Sequence, residues 1–164
     1  DPHYGLTSRY EGGGVDREQR PGWAYRIAPD SGSIDAVVTE LEAPNGLAFA
    51  PDERTLYIVD SGAGGIYRWD VAAGGPPTQF VAGGDGQPDG LRVDERGNLW
   101  CGWGGSSDDN GVRVYSPDAE LIAFIDLPAR CANLTFGGLR GDRLFMACCT
   151  SIYSVFTGVR GAVR

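Results

Sequence analysis

The chain spells one passage twice. Pro44-Asn45-Gly46-Leu47-Ala48-Phe49 passes through Pro51-Asp52-Glu53-Arg54 into Leu56-Tyr57-Ile58-Val59, and Pro88-Asp89-Gly90-Leu91-Arg92-Val93 passes through Asp94-Glu95-Arg96-Gly97 into Leu99-Trp100-Cys101. The copies stand 44 residues apart. A weaker third copy, Ala132-Asn133-Leu134-Thr135-Phe136 followed by Gly141-Asp142-Arg143-Leu144-Phe145-Met146-Ala147, comes about one repeat length later. A period of about 40 to 50 residues made of short strands and turns is the spacing of a β-propeller blade. Each copy carries a slot before its Gly-Leu or Asn-Leu pair, and Asn45 and Asp89 fill two of these slots. In successive blades such slots converge around one axis.

Alternation supports the strand reading. Leu47 and Phe49, then Leu56 and Ile58, repeat the period-2 apolar spacing of half-buried strands, with a hairpin turn at Pro51-Asp52-Glu53-Arg54. Third strands follow at Ile66-Tyr67-Arg68-Trp69 and Val112-Arg113-Val114-Tyr115, and fourth strands at Thr78-Gln79-Phe80-Val81 and Leu121-Ile122-Ala123-Phe124-Ile125. Upstream, Trp23-Ala24-Tyr25-Arg26-Ile27 and Ile34-Asp35-Ala36-Val37-Val38 read as the third and fourth strands of an earlier blade, with Asp1-Pro2-His3-Tyr4-Gly5 ending its second. Ile152-Tyr153-Ser154-Val155-Phe156 is a third strand with no clear fourth. The expectation is one all-β domain over residues 1–164, with blade portions at about 1–41, 42–85, 86–128 and 129–164. That is roughly three and a half blades, where propellers close with four to eight. The expectation is therefore a longer polypeptide, or self-association through the open blade edges.

Composition narrows the partners. The 164 residues are 41% hydrophobic and include 26 glycines, enough for one core and many turns. A net charge of −8 with no basic run argues against nucleic acid and anionic membranes. No apolar stretch approaches the roughly 18 residues of a membrane span. Cytoplasmic placement is expected, with periplasmic or secreted placement left open.

The chain also limits its own chemistry. All 14 basic residues are arginine, so it offers no lysine base or Schiff-base nucleophile. His3 is the single histidine and no G-x-S-x-G elbow occurs, which leaves a serine triad little to build on. Cys101, Cys131, Cys148 and Cys149 lack paired C-x-x-C spacing and read as buried free thiols. What remains is oxygen chemistry at the mouth, where Asn45 and Asp89 suit a hard divalent cation such as calcium, magnesium or manganese.

These motifs resemble the gluconolactonase, senescence marker protein and regucalcin family. The resemblance is carried by Asp1-Pro2-His3-Tyr4-Gly5, Pro44-Asn45-Gly46-Leu47, Pro88-Asp89-Gly90-Leu91 with Gly97-Asn98-Leu99-Trp100, and Cys131-Ala132-Asn133-Leu134-Thr135-Phe136-Gly137-Gly138. It implies a six-bladed β-propeller with one divalent metal in the central funnel, calcium first, with zinc, magnesium and manganese as alternatives. It maps metal ligands onto Asn45 and Asp89, while the family's first-blade Glu has no counterpart after Asp1. The implied activity is metal-dependent hydrolysis of a sugar lactone, with Asp89 both a ligand and the catalytic proton acceptor. His3 and Tyr4, on the expected rim, are candidate substrate-binding residues. Alternatives are a phosphotriesterase-like metal hydrolase, a non-catalytic calcium-binding or interaction propeller, and an inactive fragment.

Plainer readings compete with several of these. Asn-Gly and Asp-Gly pairs are first of all turns. Asp60-Ser61, Trp103-Gly104 and Cys149-Thr150, on the same rim, read as exposed hairpin residues. Ser106-Ser107-Asp108-Asp109-Asn110-Gly111 lacks the spacing of an EF-hand and reads as a solvated hairpin with Asn110-Gly111 at its tip. Trp23, Trp69, Trp100, Tyr67 and Tyr115 read as packing between blades, and Gly74-Gly75-Pro76-Pro77 as a turn.

Overall fold

The computed structural model describes residues 22–105 and 107–162, together with Leu6, Gly13 and Asp16. His3 and Tyr4 lie outside the described residues. The strands are β1 (Ala24–Ile27), β2 (Ile34–Val38), β3 (Pro44–Phe49), β4 (Thr55–Asp60), β5 (Gly65–Asp70), β6 (Thr78–Ala82), β7 (Gln87–Val93), β8 (Leu99–Gly104), β9 (Gly111–Tyr115), β10 (Leu121–Asp126), β11 (Cys131–Gly137), β12 (Arg143–Cys148) and β13 (Ser151–Phe156). They form four antiparallel meanders, β1-β2, β3-β4-β5-β6, β7-β8-β9-β10 and β11-β12-β13. This is an all-β architecture consistent with a member of the β-propeller fold family. Among the described residues no helix is long and apolar enough to cross a membrane.

Period-2 alternation builds the core because each central strand sends alternate side chains to opposite neighbours. In β4, Leu56 and Ile58 pack with Ala24, Val38 and Leu41 beside the first sheet, whereas Tyr57 and Val59 pack with Leu91, Leu99, Cys101 and Trp103 of the third. In β8, Trp100 turns the other way, joining Val112 and Val114 against Leu134, Leu144, Met146 and Cys148. Truncating a fully buried member such as Ile58 to Ala is worth about 2–5 kcal/mol of stability. The cores are thus interfaces between sheets, and that face-to-face stacking turns four meanders into one body.

Leu47 and Phe49 depart from the half-buried expectation. They are 51% and 39% exposed, on the face of β3 shared with Leu56 and Ile58. The sheet beyond that face has two strands among the described residues, and these cover β4 but not β3. Trp69 and Trp100 are buried in the sheet interfaces as expected, and their indole N–H groups donate to Gly75 O and Asp94 Oδ2, both at 2.9 Å.

The Ser106–Gly111 connection also differs from its expected form. Ser107–Asp109 form a 3₁₀ turn, and Gly111 already pairs with Trp103 and Asp126, so Asn110-Gly111 stands at the foot of the loop rather than its tip. An Arg113 to Asp109 ion pair of 2.8 Å ties the loop to β9.

Candidate active site

The Asn-Gly and Asp-Gly pairs are neither turns nor leaders to a strand. Both sit inside the inner strands, at irregularities where pairing skips from Pro44 to Leu47 and from Pro88 to Leu91. The third copy repeats the device, its register shifting between Cys131 and Asn133. A bulge bends a strand and re-aims its side chains, which is how residues at sheet edges and active sites leave the ladder. Here it frees Asn45 and Asp89 from their ladders.

The glycines set the spacing between the inner strands. A Cβ on Gly46 would come within 2.4 Å of the Asp89 carbonyl oxygen, and one on Gly90 within 2.6 Å of Asn133 Oδ1 and 2.8 Å of Asn133 Cα. Any side chain at these positions would push β3, β7 and β11 apart. The third slot holds Ala132, which supplies no donor, and Asn133 Oδ1 accepts from its neighbour Leu134 N at 2.9 Å.

Close approach brings the two predicted residues into contact. Asn45 Nδ2 donates to Asp89 Oδ1 at 2.9 Å and lies 3.2 Å from Ser61 Oγ, while Arg130 Nη2 donates to Asp89 Oδ2 at 2.7 Å. Asp89 thus accepts on both oxygens, one bond neutral and one charge-assisted, and the shorter is the charged one. A cleft of about 480 Å³ elsewhere, lined by Asp52, Tyr57, Arg68 and Glu95, lies at the hairpin end of these strands and contains neither Asn45 nor Asp89.

Asp60 and Trp103-Gly104 are buried rather than exposed. Asp60 is 1% accessible and its carboxylate accepts the backbone N–H groups of Glu42, Ala43 and Gly62 at 2.9 to 3.0 Å, which pins both the approach to Asn45 and the turn bearing Ser61. Trp103 is fully buried in the interface between the second and third sheets. Cys149 and Thr150 are exposed, as expected of that rim.

Beneath the site lie three buried free thiols, Cys101, Cys131 and Cys148, while Cys149 departs from the expected burial. Burial pushes the Cys131 thiol up to about 12 and raises Cys101 and Cys148 as well, so all three are protonated and unreactive at neutral pH. They are packing residues.

The donor set consists of an amide, a carboxylate and a hydroxyl, all hard ligands of the kind calcium or magnesium accepts. In kind it fits a divalent cation. In number Asn45, Asp89 and Ser61 give part of the six to eight oxygens calcium takes, and among the described residues no group of three or more His, Cys, Asp or Glu forms a metal cluster.

Arg130 escaped the sequence reading, and so did the buried role of Asp60. Arg130 stands two residues before the third slot, where the other copies carry Ala43 and Gln87, so the repeat gave no signal for it.

Stacked antiparallel meanders, with bulged inner strands that bring Asn45 and Asp89 together, are consistent with a protein of the β-propeller fold family. Residues 8–150 match the model of the SMP-30/gluconolactonase/LRE-like region, and the chain belongs to that family. It is 30% identical to a gluconolactonase of Zymomonas mobilis, over 98% of this chain and 47% of the relative. It superimposes with a TM-score of 0.82 on a gluconolactonase from Xanthomonas campestris, at 32% identity, covering 98% of this chain and 52% of that one. Regucalcin from Agrobacterium tumefaciens, a calcium-binding protein, shares the fold with a TM-score of 0.67 at 23% identity, over 85% of this chain and 53% of that one. The chain spans about half the length of the relatives it matches.

Proposed function

We propose that this chain carries part of the active site of a sugar-lactone hydrolase of the gluconolactonase type. The observation that supports this most is the Asn45–Asp89–Arg130 array, a carboxylate held on both oxygens where two bulged strands meet. Family membership and the resemblance to two gluconolactonases point to the same substrate class.

Hydrolysis adds water across an activated ester. The water oxygen bonds to the carbonyl carbon, the ring C–O bond breaks, the ring oxygen leaves as a hydroxyl by taking the proton that the general base removed from the water, and the new carboxyl releases its proton to solvent to give an aldonate. In this proposal Asp89 takes the proton of the attacking water, and Asn45 orients the Asp89 carboxylate through Oδ1. Asn45 and Asp89 would hold the divalent cation, with Ser61 within reach of Asn45. When bound, such an ion supplies charge that polarises the lactone carbonyl.

The proposal extends to architecture, as a six-bladed propeller to which this single domain contributes roughly three and a half blades, and to cytoplasmic placement. The architecture is supported by the four stacked sheets and by coverage of about half of each relative.

The test is hydrolysis of glucono-1,5-lactone by the full natural polypeptide carrying these residues, before and after chelation. Turnover that falls on chelation and returns with calcium, magnesium, manganese or zinc supports the reading. Turnover indifferent to chelator removes the metal from it, and absence of turnover under all four metals overturns it.

A further inference from the structure

Arg130 lies in the link between β10 and β11, one residue before β11 begins. It reaches back across β8 to a carboxylate of the neighbouring sheet, and its path is prepared. A Cβ at Gly104 would come within 2.3 Å of Arg130 Cγ, 2.7 Å of its Cβ and 2.8 Å of its Cδ, so the absence of a side chain at Gly104 forms the groove in which the arginine stem rests. The guanidinium then meets Asp89 Oδ2 at 2.7 Å, with the Arg130 side chain 43% exposed and that of Asp89 16%.

A guanidinium has five N–H donors in a planar fork. Among the described residues, the bond to Asp89 is the one Arg130 makes. Arg113, on the adjacent strand β9, is engaged elsewhere, stacked 4.2 Å over the Trp103 ring and paired with Asp109 at 2.8 Å. With the Arg130 side chain 43% exposed, solvent screens the pair and it contributes little stability. A groove built for it and donors left at the mouth fit a group that handles a ligand better than one that only braces the fold.

We propose that Arg130 is a substrate-contacting residue, whose remaining N–H groups bind the carbonyl oxygen of the lactone and then the carboxylate of the ring-opened aldonate. Planar bidentate recognition of a carboxylate is what the guanidinium fork provides and a lysine does not. The assignment rests on the lactone reading for its ligand class, and its test can fail separately from that reading.

The experiment uses the full natural polypeptide, wild type and with Arg130→Gln or Arg130→Lys, each shown to fold by its thermal transition. Calorimetry measures binding of gluconate and of gluconamide, which has the same carbon chain without the charge. Arg130→Gln weakens gluconate binding roughly tenfold and leaves gluconamide within about twofold, and Arg130→Lys falls between for gluconate. In turnover the Arg130→Gln loss appears mainly in KM and in product inhibition. A purely structural role would weaken both ligands alike or neither, and either result overturns the assignment, as does wild-type protein that binds no gluconate. If Arg130→Gln does not fold, an Arg130→Lys variant with unchanged gluconate affinity overturns it. Arg130-dependent gluconate binding without lactone turnover would retain Arg130 as a carboxylate-binding residue and discard the hydrolase.

Discussion

Asn45 and Asp89, 44 residues apart in the chain, are joined side chain to side chain, the Asn45 amide donating to Asp89 Oδ1 at 2.9 Å. The contact exists because each residue occupies a bulge in an inner strand and each bulge carries a glycine that lets the next strand close in. Truncation of Asn45 removes an oxygen ligand and one of the two bonds that hold the Asp89 carboxylate, leaving only that from Arg130 among the described residues. Asn45→Ala should therefore weaken calcium binding by about tenfold or more in a calorimetric titration, with the melting transition little changed. Equal affinity in the two proteins would remove Asn45 from the site.

Gly90 tests the spacing of the strands. Gly90→Ala places a methyl against the backbone and side chain of Asn133, at distances that neither can relieve without moving β11. We expect a loss of about 1–3 kcal/mol by chemical denaturation, with the cooperative transition retained. Gly74→Ala, at a turn with open space but a φ of +66°, should cost about 1 kcal/mol through strain alone. A Gly90 variant as stable as wild type would mean that the strands do not meet as described.

Asp94 is buried completely, and its carboxylate accepts from Arg96 N, Asn98 N, Asn98 Nδ2 and Trp100 Nε1, all at 2.9 Å. Asp94→Ala strands those donors inside the fold and should cost about 3 kcal/mol, measured in urea, without altering calcium affinity. A loss under about 0.5 kcal/mol would show that the donors find other partners.

Much of this was legible in the chain, and the failures have physical causes. Period-2 alternation located the strands because sheet faces are chemically distinct, and the repeat identified the inner strands because each must solve the same packing problem. Asn45-Gly46 also admits a turn reading, because left-handed tolerance and close backbone approach both select glycine, and it is the recurrence of the pair one repeat later that favours the slot. Asp60 and Trp103 looked exposed because burial at a rim depends on strands distant in sequence. Arg130 was invisible because its path to Asp89 runs past Gly104, more than a strand away and in another sheet. The burial of Cys101, Cys131 and Cys148 was legible from residue type, and the exposure of Cys149, next to the last of them, was not.

The thiols give the fold a pH dependence. An unfolded chain ionises cysteine near pH 8.5, whereas the folded chain holds the proton on Cys131 to about 12 and raises Cys101 and Cys148 in the same direction. The stability they contribute is complete below about pH 8.5 and is lost as pH rises through the folded-state values. Urea midpoints should fall between about pH 8.5 and pH 10, and fall less steeply in Cys131→Ala. Parallel slopes for the two proteins would assign the alkaline loss to other groups.

In the proposed reaction Asp89 is the carboxylate that both holds the cation and accepts the proton. The most direct measurement is the steady-state rate of gluconolactone hydrolysis by wild type and Asp89→Asn, compared in the full natural polypeptide at saturating calcium and with matched melting transitions. Loss of one ligand charge and the proton acceptor together predicts a fall of at least about a hundredfold. A variant within a few-fold of wild type would make Asp89 a residue of the bulge and nothing more.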